Sequence, residues 1–406
     1  MVGVSGGRRH DAEGTTSNED DGMDFELGAA AEAFRARIRE LIALHLPPDF
    51  LGAFTDDPED LETTRRFCKL LAAQAMLAPT WPEEFGGGGA SVWEQTVLRE
   101  EMWAHHEPRG PQYMALNWVG PAILQFGTEE QRQFHLPKMA AGEVLWCQGF
   151  SEPDAGSDLA SLQTSARRDG DGWVVTGQKI WTSYAQVADW CVLAARTGPP
   201  GSRQRGISLF LVPMDRPGIE VRPIRSMLGP YHLNELFLDE VRVHPGELLG
   251  EEHGGWAVMR GALAFERVGI ARYARADRLL DAVRGAVGGL EALPPGLRAR
   301  YARAMVHNRV ARLVAYEVIG AQAAGGGDDG AAAAARIAAV TGDQEVSEVL
   351  VEAIGGAVFD SARTPETHLA AAVEDYWRYS RSATVSAGSV DIQRMIVGRS
   401  VLKGAK

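Results

Sequence analysis

The feature that most constrains this chain is a change of texture that happens twice. From Phe25 to Ala141 the apolar residues recur at helical spacing. Ala31-Glu32-Ala33-Phe34-Arg35-Ala36-Arg37-Ile38-Arg39-Glu40-Leu41-Ile42 is one such run and Leu61 to Ala75 another, with Pro47-Pro48 breaking the chain between them. Near Glu143 the pattern gives way to short β-rich runs at 173–177, 190–195, 207–212 and 236–243. Asp169-Gly170-Asp171-Gly172, Pro199-Pro200-Gly201 and Arg216-Pro217-Gly218 supply turns between several of them. After Gly255 the chain reads as helix to its end, broken at Leu290–Pro295 and by the glycine-rich stretch Gly325–Gly330. Helices, then strands, then helices is an α+β segregation rather than βαβ alternation. No GxGxxG follows a predicted strand, which argues against a dinucleotide-binding Rossmann fold.

The expected organisation is a disordered tail over 1–23, an N-terminal helical domain over 24–142, a middle β-barrel or sandwich domain over 143–250 and a C-terminal helical domain over 251–406. The tail is polar, glycine-rich and charged and lacks the apolar stretch of a secretory signal. The chain has 406 residues with 45% hydrophobic and 23% charged, enough apolar content for a large core. A net charge of −13 argues against nucleic acid as a partner. Cys68, Cys147 and Cys191 are odd in number and lack metal-ligand spacing, so neither a disulfide framework nor a metal site is expected, and a cytoplasmic location follows. No apolar run is long enough for a membrane span.

Two segments carry candidate chemistry. Ser151-Glu152-Pro153-Asp154-Ala155-Gly156-Ser157-Asp158 is small, polar and turn-forming, and presents backbone N–H groups and two hydroxyls of the kind a flavin's pyrimidine edge requires. The plainer alternative is a surface turn. Gly177-Gln178-Lys179-Ile180-Trp181-Thr182-Ser183 ends a strand with an aromatic followed by two hydroxyls. Trp181 can lie against a flat ring with Ser183 donating to a heteroatom; the plainer alternative is a core tryptophan with its indole N–H satisfied.

Together with Trp81–Gly87 (WPEEFGG), Phe126–Gln131 (FGTEEQ), Gly206-Ile207-Ser208, Leu248-Leu249-Gly250 and Ile392-Gln393-Arg394, these segments resemble the acyl-CoA dehydrogenase family. The resemblance covers about residues 25 to 402 with the motifs in order. It implies a helical N-terminal domain, a middle β-domain and a C-terminal four-helix bundle, with FAD as cofactor. By resemblance, Gln148, Phe150, Ser151 and Ser157 line the flavin and thioester site, and Trp181, Thr182 and Ser183 contact the isoalloxazine. Glu352 with Gly355 and Gly356 marks a turn that approaches FAD from a neighbouring subunit, and Ser389 and Asp391 lie near its adenosine half. Ser157, Arg267 and Gly388 lie toward the substrate.

The reaction such proteins catalyse needs a base within reach of the α-proton of a thioester. The best-known relatives carry a glutamate where this chain has Ala387, which retains only a backbone N–H, and that N–H is implied to help hold the thioester carbonyl. Glu266, the one carboxylate in the apolar run Met259–Ile270, matches the base position of the isovaleryl- and long-chain-type members. An apolar pocket raises a carboxyl's pKa as a base requires. The plainer alternative is a helix carboxylate paired with an arginine such as Arg267.

Three departures stand out. The family's Arg-x-x-Phe-Gly stretch has no counterpart in Val287–Arg298. Glu352 stands where glutamine is common, a charge that would repel a pyrophosphate unless turned away. Asp154 replaces a glycine and is tolerated in left-handed geometry if the turn demands it. The resemblance therefore implies an FAD-dependent dehydrogenase of acyl-CoA or acyl-carrier-protein thioesters. Its acceptor would be an electron-transferring flavoprotein and its assembly a homo-oligomer (dimer or tetramer) or a heteromer. A flavin-poor partner subunit of a mixed assembly and a flavin oxidase or monooxygenase on the same fold are the other readings.

Overall fold

A computed structural model of the chain describes residues 27–53, 57–261, 270–359, 367–386 and 388–404. Glu266, Arg267 and Ala387 lie outside the described residues, as does the tail. The N-terminal part contains α1 (Ala29–His45), α2 (Pro58–Ala72), α3 (Val92–Ala104), α4 (Gln112–Met114), α5 (Gly120–Phe126) and α6 (Glu129–Ala140), with a π turn, Ala115–Val119, joining α4 to α5. The helix starts follow local chemistry. Ser91 and Glu94 form a capping box at α3, and Thr128 and Gln131 form one at α6. Gln131 also spans domains, donating to the carbonyls of Gly246 (2.8 Å) and Leu248 (2.9 Å). Its amide thus ties the FGTEEQ segment to the Leu248-Leu249-Gly250 segment. The WPEEFGG segment is a core plug: Trp81 and Phe85 are buried, and a Cβ on Gly87 would lie 2.0 Å from the Trp81 carbonyl oxygen.

The middle part forms one eight-stranded sheet. Its strands are β1 (Trp146–Gly149), β2 (Ser165–Asp169), β3 (Gly172–Ser183), β4 (Trp190–Arg196), β5 (Ile207–Pro213), β6 (Ile219–Ser226), β7 (Gly229–Val243) and β8 (Leu248–Leu249), in the order β6-β7-β3-β2-β4-β5-β8 with β1 beside β4. Trp146 pairs with Trp190 across the parallel β1–β4 ladder, the two rings stack 5.5 Å apart, and His135 of α6 lies edge-on to both. The β3–β7 ladder slips twice, between Val175 and Gly177 and between Lys179 and Thr182. The second slip decides where Trp181 points.

The chain is helical again over 255–261. Beyond the undescribed segment come α7 (Arg272–Ala286), α8 (Pro295–Ala323), α9 (Asp329–Ile354), α10 (His368–Ser382) and α11 (Val390–Gly404). Leu279, Leu280, Val283, Tyr301, Val346, Leu350, Val373 and Tyr376 form their core. The glycine-rich stretch is shorter as a loop than its composition implies. Asp328 caps α9 by accepting from the N–H groups of Gly330 and Ala331, so Asp329 and Gly330 are already helical. None of the helices among the described residues is long and apolar enough to cross a membrane.

Candidate active site

The Ser151–Asp158 loop is anchored on β3 by a buried ion pair. Lys179, with no exposed surface, donates to Glu152 (2.7 Å) and to the Phe150 carbonyl (3.1 Å). Glu152 accepts in addition from the N–H groups of Gln163 (2.6 Å) and Thr164 (2.8 Å). Burial would push the Glu152 carboxyl up, but Lys179 and these donors hold it below the usual carboxylate range. Burial brings the Lys179 ammonium down to about 8, against the pull of Glu152. The Ile180 N–H donates to the Ser151 carbonyl (2.9 Å), closing the contact between loop and strand. Neither partner of the pair was singled out by sequence reasoning. The Gly-Gln-Lys of the second segment was the available signal, but its partner lies 27 residues away.

Trp181 follows immediately. It sits in the second ladder slip with φ +61°, and the residue is 55% exposed. A bulge re-aims a side chain, and a left-handed tryptophan is a strained conformation held by its surroundings. The alternative of a core tryptophan with a satisfied indole is thereby corrected. Thr182 points the other way: its hydroxyl is buried without a partner among the described residues, while its carbonyl accepts from Asn234 (3.0 Å). Ser183 is half-buried and pairs with Leu233. Gln148 lies on β1 opposite Val192, Phe150 and Ser151 are half-buried, and Ser157 is exposed. Asp158 pairs with Arg203 (2.5 Å). Asp154 is exposed and does not adopt positive φ, so the left-handed turn entertained for it is not formed.

The second part of the site is the turn before α11. Arg336, buried on α9, donates to the Ser386 carbonyl (2.8 Å). Gln393, buried on α11, donates to the Gly388 carbonyl (3.2 Å). Gly388 has φ +86°, and a Cβ there would meet the Gln393 amide at 2.7 Å, so only glycine fits. These contacts fix both flanks of position 387. Ser389 accepts from the Ile392 N–H (3.4 Å) at the start of α11, and Asp391 pairs with Arg394 on an exposed surface. Glu352 is exposed and paired with Arg300 (2.7 Å), which answers the repulsion its charge implied. Gly355 and Gly356 follow it, exposed at the end of α9.

Past Trp181, the strand leads to a junction of all three parts. Tyr184 lies edge-on to His232 at 5.1 Å, and its hydroxyl is pushed well up, by burial first and by Tyr379, Glu107 and Tyr113. Trp103 lies 6.1 Å from Tyr113 and 5.7 Å from Tyr379, and Arg272 stacks over both Trp103 and Tyr379. Arg272 and Tyr273 open α7, two residues after the undescribed segment that carries Glu266. A cavity of about 720 Å³ between α1, α7 and α8 contains none of the predicted site residues. A smaller one, about 290 Å³, lies between the Ser151–Asp158 loop and Gly177-Gln178.

Family models for the acyl-CoA dehydrogenase N-terminal, middle and C-terminal domains match residues 29–143, 147–241 and 253–402. The chain belongs to the acyl-CoA dehydrogenase family, FAD-dependent oxidoreductases of lipid metabolism. It is 32% identical over 394 residues to acyl-CoA dehydrogenase IpdE1 of Mycolicibacterium smegmatis, covering 91% of this chain and 97% of that one. Among solved structures it resembles the Tcur3481-Tcur3483 steroid acyl-CoA dehydrogenase (TM-score 0.85, 31% identity, 94% of this chain and 99% of that one). It also resembles the ChsE4-ChsE5 complex from Mycobacterium tuberculosis (TM-score 0.83, 32% identity, 94% and 99%). The residues present fit the family's FAD. Trp181 offers an exposed flat face, Thr182 a buried hydroxyl that lacks a partner among the described residues, and the anchored loop its N–H groups and Ser157.

Proposed function

We propose that this protein dehydrogenates an acyl thioester between Cα and Cβ, with Glu266 removing the α-proton. The observation that carries the reading is the Ser151–Asp158 loop held by Lys179 and Glu152 beside an exposed, bulge-borne Trp181. When bound there, FAD supplies the acceptor for the two electrons and the hydrogen that leave Cβ. The chain's residues do the rest. Trp181, Thr182 and Ser183 orient the ring, with Gln148, Phe150, Ser151 and Ser157 along its edge. The N–H of Ala387, between flanks held by Arg336 and Gln393, donates to the thioester carbonyl and stabilises the charge that develops there. Arg267 and Gly388 lie along the thioester. The Glu266 carboxylate takes the α-proton, and exclusion of water by the bound thioester would keep it basic enough for the transfer.

The substrate is a CoA thioester, with a carrier-protein thioester as the other possible carrier, and an electron-transferring flavoprotein reoxidises the enzyme. A second reading, a flavin-poor subunit of a mixed assembly, has its own support: both solved relatives described above carry two names for two chains. Val287–Arg298 also lacks the family's arginine motif, and Arg298 and Arg300 are taken by Glu291 and Glu352. Anaerobic titration of the purified yellow protein with a panel of acyl-CoA thioesters tests the main reading. It predicts loss of the flavin's visible absorbance and an α,β-unsaturated product by mass. Colourless protein that takes up flavin only with a second chain would favour the other.

A further inference from the structure

The junction where the acyl group would lie is rich in charge, and the charges can be matched one by one. Glu107 is held in two bonds by Arg109 (2.6 and 2.8 Å). Asp343 is taken by Arg272 and the Tyr376 hydroxyl, and Asp375 by Arg275. On the opposite side of α3, Glu100 is held by Arg35, Arg312 and Tyr316, and Glu101 by Arg35 and Arg39. Each of these carboxylates therefore has its cation among the described residues. Arg99 has no anion. Its Nε donates to the Asn117 side chain (3.3 Å), and its two Nη groups have no hydrogen-bond or ion-pair partner among the described residues.

Arg99 is half-buried on α3, one turn before Trp103, and its electrostatic neighbours are Tyr113, Arg109, Tyr273 and Glu107. A second unsatisfied donor belongs to Arg109, one of these neighbours. Arg109 is fully buried over the Tyr113 ring, and its Nη1 has no acceptor among the described residues. The Trp103 indole N–H is likewise buried without one. Burial holds the Arg99 guanidinium below its ordinary range, yet arginine stays charged in proteins. A half-buried cation with unpaired donors beside it suits an acceptor-rich anion.

We propose that Arg99 binds a carboxylate carried on the acyl portion of the thioester, so that the substrate class is a carboxyacyl thioester. The inference rests on the dehydrogenase reading for its substrate but is tested apart from it. The guanidinium receives the carboxylate through its Nη groups, while Asn117 accepts from its Nε.

The test uses the FAD-loaded protein with adipyl-CoA and suberyl-CoA against hexanoyl-CoA and octanoyl-CoA. Equilibrium binding and steady-state turnover are measured for wild type, Arg99→Gln and Arg99→Lys. The expected result is tighter binding of the carboxyacyl partner in each pair. In Arg99→Gln that preference is lost, with kcat/KM for the carboxyacyl thioesters down about a hundredfold, mostly through KM. Flavin content and turnover of the neutral thioesters stay as in wild type, and Arg99→Lys recovers part of the preference. Wild type that binds the neutral partner as tightly overturns the proposal. So does an Arg99→Gln protein that loses both classes alike with a shifted pH profile, which would make Arg99 a counter-ion to the base. Carboxylate-selective binding without flavin reduction would uphold Arg99 and sink the dehydrogenase reading instead.

Discussion

Lys179 and Glu152 show how much of a binding loop can depend on one buried pair. Removing one partner of such a pair leaves the other charge buried and uncompensated, at a cost of about 3 kcal/mol or more. Lys179→Met is therefore expected to lower unfolding stability by about 3 kcal/mol and to reduce bound flavin, because Glu152 loses its counter-ion while the loop loses its anchor. Glu152→Gln with Lys179→Met is expected to cost less than Lys179→Met alone, a sign of coupling that urea unfolding and flavin content measure together. A single variant as stable as wild type would contradict this. At this scale the sequence was partly legible. Trp181 and the serine-rich loop could be found because their residue types carry the chemistry. Arg99 could not. In Leu98-Arg99-Glu100-Glu101 it reads as one charge on a solvated helix face, and only the fold shows both glutamates turned to other arginines.

Elements place these residues through their joints. The slip in the β3–β7 ladder turns Trp181 outward, a consequence of pairing register that no local pattern in Gly177–Ser183 announces. The turn before α11 was legible at Gly388 and Ser389, while the arginine that holds it comes from α9, 50 residues earlier. The α6–sheet joint has a measurable signature. His135, packed among Trp146 and Trp190, is brought by burial to about 4, below the ordinary 6.5. The unfolded chain thus takes up this proton first as pH falls. Stability from a neutral His135 is complete above about 6.5 and is lost progressively toward 4. His106 and His232 are lowered by burial too and act in the same direction. Urea midpoints are expected to fall from pH 7 to pH 4, and His135→Phe to remove part of that slope. An unchanged slope in the variant would contradict the assignment.

Across the whole molecule, the order of helices, strands and helices was legible because each class of segment has its own hydrophobic period. The way the parts meet was not. Gln131 reaching Gly246 and Leu248, and Arg272 over Trp103 and Tyr379, are contacts between segments more than a hundred residues apart. Assembly belongs to this scale. Val306, Val310 and Leu313 recur along one face of α8, all exposed, and Met395, Val401 and Leu402 of α11 are exposed as well. Apolar surface of this kind on the helical domain accords with an oligomer, whether of one chain or two.

The central claim is that Glu266 supplies the base which position 387 lacks. Its most direct test is the rate of flavin reduction on anaerobic mixing with the thioester that the wild-type protein prefers, compared with Glu266→Gln. Loss of the base is predicted to leave FAD bound and the thioester still perturbing its spectrum, with reduction slowed by about a thousandfold or more. Reduction at the wild-type rate in Glu266→Gln would contradict the account and place the base elsewhere in the chain.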